Sequence, residues 1–563
     1  MYAMVVCLIM VKVLWGFWAR DLTFGDTSSY FKDAVRWHQD GQINIVWSPL
    51  YTAYFGSWLS ITENANVATL LHRVGLIVFS TGLVAWLGYI TLPRVLALLL
   101  VVWWVALPIH YDTLYEVHLF GALPILVMAL VSIIVNDKWK LPLLISIALI
   151  TTFLIRNEFV LVIGALIVLG ATKHLFKKNS ISLPEIKFSI LRYSLLLLIS
   201  GLFIVYFYSI SYVKGSEISN YSAPKHTLNM CQVYAFGYQQ RQTDWLGSPW
   251  TDCSSLMQQK FGVAMPTLYE MVTANPTEVI THFFWNFSLT RAGLEVLLFN
   301  STSGLNNPDY APVLITPVYP TLLLMVSIGV ITLGTIILNH KTNLNNEDVK
   351  QKIALMTPLL LAVLVMSLAV IITQRPRPSY LLGAGMLYTW LMLQFLITCL
   401  PVIKKLDNLL VFISFVFLLL FFIPSYSSLP LSSKNGTLGA IYNELKPHAK
   451  ELCQPKGKLA LNEYGVNLVS YQCSHLSPNP IIGGKGILDI SSLPEITKHT
   501  KYDFISALEK LGASALIIDP YMLQKFPNLG SCSDLSNALT HRGWNQLTYS
   551  LSDDGQCIAA FKK

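Results

Sequence analysis

Apolar runs of bilayer-spanning length, separated by short polar connections, make up the chain as far as Pro424, and the pattern changes beyond Tyr426. An α-helix rises about 1.5 Å per residue, so about 20 apolar residues cross a hydrocarbon core. On that measure the runs predict helices at 1–18, 67–90, 95–109, 119–135, 141–156, 159–173, 190–210, 311–338, 353–373, 381–402 and 409–424, about eleven in all. An odd number places the two termini on opposite sides. The first run has the apolar core of a signal peptide, but Trp15, Phe17 and Trp18 stand where a cleavage site needs small residues, so it is read as a membrane helix. Lys12 within it snorkels to the interface or faces the protein interior.

Two connections carry amphipathic patterns of their own. In the first, spanning 19–66, Tyr30, Phe31, Ala34, Val35, Trp37 and His38 share one helical stripe, with Lys32, Asp33, Arg36 and Gln39 on the other. Such a helix can lie flat on a membrane surface. Asp26 stands at its head, where it either caps the free N–H groups of the first turn or is available for chemistry. In the long connection 211–310, Ala274-Asn275-Pro276-Thr277-Glu278 leads into an apolar and aromatic helix, Val279 to Phe287, with Pro and Glu where helix N-termini favour them. Asn286, Asn300 and Asn435 fall in glycosylation sequons.

The two regions of the chain are thus a membrane domain, 1–424, and a soluble domain, 425–563. In the latter, Lys458 to Asn462 and Ala513 to Asp519 read as short strands, with helices near 437–450 and 503–511 and a last strand at Gln556–Phe561. That alternation predicts a small α/β domain.

Composition fixes the class. Of the 563 residues 53% are hydrophobic and only 12% charged, against about 25% charged in ordinary soluble domains. The net charge of +8 matters through its placement. Arg94, Lys138, Lys140, Lys173, Lys177, Lys178, Lys187, Lys341, Lys350, Lys352, Lys404 and Lys405 occupy alternate connections, which assigns those to the cytoplasm and the N-terminus with them. The remaining connections and everything after Pro424 then face outward. No basic run is interleaved with aromatics in a soluble stretch, so nucleic acid is not an expected partner. Of the 8 cysteines, Cys7 and Cys399 fall in predicted helices and the other six in segments assigned outside, which suits an oxidising compartment. Cys231–Cys253 is the expected pair in the long connection; Cys453–Cys473 with Cys532–Cys557 is favoured among the three pairings of the last four.

The outward turns hold charges that a lipid-facing position would tolerate only at about 2.5–3.5 kcal/mol each, so they meet each other, water or a ligand. Tyr111 to His118 offers Asp112, Glu116 and His118 at the head of the fourth helix, either as functional groups or as a cap with an interfacial Tyr. Arg156-Asn157-Glu158 sits between helices too close for a real loop; its guanidinium suits a phosphate or a carboxylate partner, the alternative being a pair with an acid of the chain itself. Gln374-Arg375-Pro376-Arg377-Pro378-Ser379-Tyr380 interleaves two arginines with prolines that fix the backbone. A preset arginine pair is a physically reasonable clamp for an anion at a membrane surface, and the alternative is contact with lipid headgroups.

These features resemble the type C glycosyltransferases (GT-C fold), most of all the branch holding protein O-mannosyltransferases and lipid A aminoarabinose transferases. The resemblance lies in an acidic residue, Asp26, followed four positions later by Tyr30, then a helix ending in Gly41, and Pro49-Leu50-Tyr51 opening the second membrane helix. The Asn275-Pro276 start, the Arg156-Asn157-Glu158 turn and the late Arg/Tyr turn are similar too, although Pro378 and Ser379 separate Arg377 from Tyr380 and leave open which arginine corresponds. The resemblance implies an inverting transferase that moves a sugar from a polyprenyl-phosphate donor to a glycan, lipid or protein acceptor outside the cytoplasm, in a bacterial inner or other plasma membrane. It gives Asp26 the role of catalytic base and Glu116, with Asp112 second, a place near donor phosphate or acceptor. Arg156, Arg375 or Arg377 and Tyr380, with Tyr30, His118 and Glu158, would line the substrate site. Charge compensation by arginine can remove the need for a metal, although Asp26, Asp112 and Glu116 are also competent ligands for a divalent ion. An O-antigen polymerase or ligase, and a transporter of lipid-linked glycans, are the alternatives; transporters show repeated halves and helices broken at mid-membrane, whereas here the polar groups gather on one side.

Overall fold

The computed structural model describes residues 6–10, 26–62, 65–107, 115–176, 183–212, 216–242, 244–299, 318–340, 344–400, 444–453, 456–461, 487–490, 501–551 and 557–563. The protein is mostly helical, with a small sheet near its C-terminus. Its chain divides into two compact units. The first comprises 1–13, 44–51 and 75–429, the second 14–43, 52–74 and 430–563.

In chain order the helices are α1 (Asp26–Asp40), α2 (Pro49–Ile61), α3 (Ala65–Thr91), α4 (Arg94–Ala106), α5 (Tyr115–Ile134), α6 (Asp137–Leu154), α7 (Val160–Phe176), α8 (Leu183–Ser209), α9 (Ser216–Arg241), α10 (Cys253–Phe261), α11 (Leu268–Ala274), α12 (Pro276–Ser288), α13 (Thr290–Phe299), α14 (Val318–His340), α15 (Leu344–Gln374) and α16 (Leu382–Cys399). Among the described residues six are long and apolar enough to cross a membrane, lying within α3, α5, α8, α14, α15 and α16. Several bear the mark of lipid contact: Leu191, Leu198, Leu202 and Val205 of α8, and Leu322, Met325 and Val326 of α14, are exposed apolar side chains in a row, a surface too large and apolar to face water.

Three sequence expectations change. The run at 95–109 forms α4, but at 13 residues it is about 20 Å long, short of the roughly 30 Å hydrocarbon core. Pro49-Leu50-Tyr51 does not open the second membrane helix; it opens the separate α2, which ends at Ile61 before α3 begins. The long connection is not mainly loop, because α9 to α13 occupy most of it. The predicted helix at 409–424 lies outside the described residues, as does most of 1–18.

Small and hydroxylated residues let the helices of the first unit approach. Ser146 of α6 meets Ser200 of α8 at 2.6 Å, and Ser327 of α14 meets Tyr388 of α16 at 2.7 Å. Trp390 and Gln394 of α16 donate to the Thr91 hydroxyl and carbonyl at 2.9 and 3.1 Å, closing the C-terminal end of α3.

In the second unit α1 and α2 pack closely. Gly56 lies against the Ala34 carbonyl and the Trp37 ring, so a Cβ there would collide. Phe31, Ala34 and Val35 are buried as the stripe predicts, and Asp33, assigned to the polar face, is buried with them. The C-terminal domain holds β1 (Lys458–Leu461), β2 (Ile487–Asp489), β3 (Ala513–Ile518), β4 (Asn545–Leu551) and β5 (Cys557–Lys562) in the order β2-β1-β3-β5-β4. β1 pairs parallel with β2 and β3, and β5 pairs antiparallel with β3 and β4. Alternation along β3 sends Leu516 and Ile518 to one face and Ala515 and Ile517 to the other, and each face has its own core. The helices here are α17 (Ala449–Cys453), α18 (Lys501–Lys510), α19 (Pro520–Lys525) and α20 (Cys532–His541), the last opened by a Ser531/Asp534 capping box. Cys231–Cys253 and Cys532–Cys557 are bonded, with Cα separations of 5.4 and 6.0 Å. Cys453 is bonded too; its expected partner Cys473 lies outside the described residues.

Candidate functional site

In the first unit, one ring gathers the charged turns. Arg377, Pro378, Ser379 and Tyr380 form a turn in which the Tyr380 N–H donates to the Arg377 carbonyl at 3.1 Å, and this three-residue step brings the Arg377 guanidinium to 5.2 Å from the Tyr380 ring. The two residues that separate arginine from tyrosine in sequence are thus what lay them together. The Arg156 guanidinium stands 4.3 Å from the same ring, and the His118 ring 4.9 Å from it, tilted by 51°. Each cation contact is worth about 0.5–2 kcal/mol.

Each member is placed by its local chain. Glu116 and His118 are buried in the first turn of α5, where a carboxylate meets the positive end of the helix dipole. Arg156 follows α6 in extended conformation, its N–H donating to the Thr151 carbonyl at 2.7 Å. Its side chain crosses α5 at Gly121, where an added Cβ would come within 2.6 Å of the Arg156 Cδ. Arg156 Nε pairs with Glu158 at 2.5 Å, so the carboxylate partner foreseen for it is there. Its Nη2, however, is buried and among the described residues has no hydrogen-bond partner, and the same is true of the Ser379 hydroxyl. Leaving a buried donor unmet costs about 1–3 kcal/mol.

Arg375 takes a different course. Its φ of +72° is left-handed, a conformation that strains a residue with a side chain. It serves as the C-terminal cap of α15, its N–H donating to the Ile371 carbonyl at 3.1 Å. The side chain is buried with its guanidinium 4.5 Å from the ring of Phe236 on α9.

Asp112 lies outside the described residues. Asp26 is the first residue of α1 and Tyr30 is half-buried one turn on, both in the second unit. Of the three carboxylates suited to a divalent ion, only the Glu116 side chain is described. No group of three or more His, Cys, Asp or Glu side chains lies together among the described residues.

The sequence reading passed over two sets of buried polar residues. On α3, His72 is stacked on Phe55 at 4.1 Å, its Nδ1 donating to the Thr69 carbonyl at 2.6 Å, and neighbouring Arg73 is fully buried. Two charge-capable residues inside an apolar run were the available signal. The second set joins α9 to α12: Tyr234 and Arg241 both donate to Glu278 at 2.9 Å, and His282 and Asn286 are buried one turn apart beside them. Burial, and then the Arg241 charge, pushes the His282 imidazole down to about 3, so it is neutral. Asn286, a sequon asparagine, is enclosed and cannot carry a glycan in the folded protein.

Comparison of the chain with protein-family models and with curated proteins returned no match.

Proposed function

We propose that the chain is a membrane glycosyltransferase of type C that moves a sugar from a polyprenyl phosphate to an acceptor hydroxyl on the extracytoplasmic side. The observation that carries the reading is the group of Arg156, Arg377, His118 and Ser379 around Tyr380, with a guanidinium nitrogen and a hydroxyl that are buried and, among the described residues, unmet. The group stands where α5 and α16 begin and α6 and α15 end. Two helix N-termini, two guanidinium groups and unsatisfied donors at the ends of membrane helices make a site for an anion attached to a lipid.

In the proposed reaction the acceptor hydroxyl attacks the anomeric carbon, its proton passes to the Asp26 carboxylate, and the bond to the phosphate oxygen breaks, inverting the configuration. Arg156 and Arg377 neutralise the phosphate that leaves, with Glu116 and His118 beside it. The Lys/Arg asymmetry and the bonded cysteines support an outward site.

The test is transfer by purified protein from a polyprenyl-phosphate sugar, with Asp26→Asn beside wild type. An amide keeps the helix start but accepts no proton, so turnover should fall by about 10²–10⁴ while donor binding holds. Wild-type-like turnover by Asp26→Asn would sink the assignment of the base.

A further inference from the structure

The turn carrying Arg375 and Arg377 is held by something other than the two helices it joins. The last carbonyls of a helix lack intrahelical partners, and the Ile372 carbonyl is such a group, because the residue four positions on is Pro376, which has no N–H. The Asn286 side chain on α12 supplies the missing donor: its Nδ2 donates to the Ile372 carbonyl at 2.8 Å. The second hydrogen of the same amide is directed to His282 Nε2 at 3.2 Å, which accepts only while the imidazole is neutral. Two further elements of the long connection meet the turn. Gly293 of α13 lies against the Pro376 carbonyl and ring so closely that a Cβ would overlap them, and Phe236 of α9 lies beneath the Arg375 guanidinium at 4.5 Å.

We infer that Asn286, oriented by His282, is a positioning residue for the anion site: it sets the backbone of the arginine turn and through it the place of Arg377 against Tyr380. It touches neither the anion nor the reacting atoms. Only the identity of the anion rests on the transferase reading. The titratable and charged groups around the pair are Tyr234 and Arg241 of α9, Glu278 of α12 and Arg375 beyond Ile372.

Two measurements on the full-length protein in nanodiscs test it: hydrogen exchange of the Arg377 to Leu381 amides, and affinity for farnesyl phosphate as a short polyprenyl monophosphate. Asn286→Leu keeps the volume and removes the donor. Exchange in the turn should quicken, and affinity fall, each by about tenfold, since an unmet buried carbonyl costs about that much. Asn286→Asp has a single donor, and only when protonated, so at about pH 5 it should recover part of the wild-type behaviour and drift toward the Leu variant as pH rises. A merely structural role would show no such recovery. If Asn286→Leu does not fold, Asn286→Asp carries the test alone, its two protonation states being compared in one preparation. Unchanged exchange in the turn, or an Asp variant as loose at acidic as at alkaline pH, overturns the inference. A wild-type chain that ignores farnesyl phosphate, with the turn still loosened by Asn286→Leu, overturns the transferase reading and upholds the positioning role.

Discussion

α12 and α20 are short amphipathic helices of 13 and 10 residues whose faces are turned opposite ways. In α20 the apolar side chains Leu535, Ala538 and Leu539 are inside and Ser533, Asp534 and Asn537 outside. In α12 the polar His282 and Asn286 are inside, while Ile280, Phe284 and Phe287 are 53%, 70% and 51% exposed. A polar face turned inward against Tyr234, Arg241 and Ile372, with phenylalanines outward, is stable only where the outside is itself apolar. The pair teaches that helical periodicity reveals two faces without saying which solvent each will meet; the partners decide. α20 finds an apolar sheet, and α12 finds donors and a carbonyl that proline left bare.

The sharpest way to break this comparison is to put one carboxylate on each outward or inward apolar position. Leu539→Asp buries an unpaired charge in the core beneath the sheet and should cost on the order of 3 kcal/mol or more, read as loss of thermal unfolding of the C-terminal domain. Phe284→Asp puts its charge against lipid or detergent instead of the protein core, and at the membrane interface, where the carboxylate reaches water, it should cost about 1 kcal/mol. Equal losses would mean that Phe284 is packed within the protein.

A middle-sized effect comes from His282. Its folded value, about 3, lies below the ordinary 6.5, so the neutral form is the one the fold favours. Stability is complete above about pH 6.5 and declines as pH falls toward 3, by about 1.4 kcal/mol per unit, or about 2 kcal/mol at pH 5. His282→Gln should remove that part of the pH dependence in denaturation of the purified protein. A slope unchanged by the substitution would place the acid sensitivity elsewhere.

The smallest effect is also the most specific to the outward face. A nitroxide on Phe284→Cys should collide with oxygen in preference to a water-soluble nickel complex when the protein is in lipid, with stability within about 0.5 kcal/mol of wild type. Preference for the nickel complex would give this face to water.

How far the sequence could be read follows the same division. Spans with long exposed apolar faces, such as α8 and α14, were plain from hydrophobicity, as were β3 and β5, short apolar runs buried on both faces. β4 was missed because Asn545–Leu551 is largely polar and becomes a strand by pairing with β5. α9 was missed because its polar residues show no stripe until Glu278 and Trp285 supply partners. Within the site, Arg156 and Arg377 were visible as odd charges near apolar runs, with Tyr380 beside them, but Asn286 stood out only as a sequon match, since nothing local ties it to a carbonyl 86 positions away.

That separation of Asn286 from the turn also bears on how the protein is made. Synthesis runs from the N-terminus at about 5–20 residues per second, so α9 to α13, with Cys231 and Cys253 among them, exist for some seconds before Arg375 is added. The scaffold that receives the arginine turn can therefore close its own disulfide and pair Glu278 with Tyr234 and Arg241 while the turn's residues are still unmade. In that order of events α15 would meet a seat already formed, with a donor waiting for its proline-bared carbonyl.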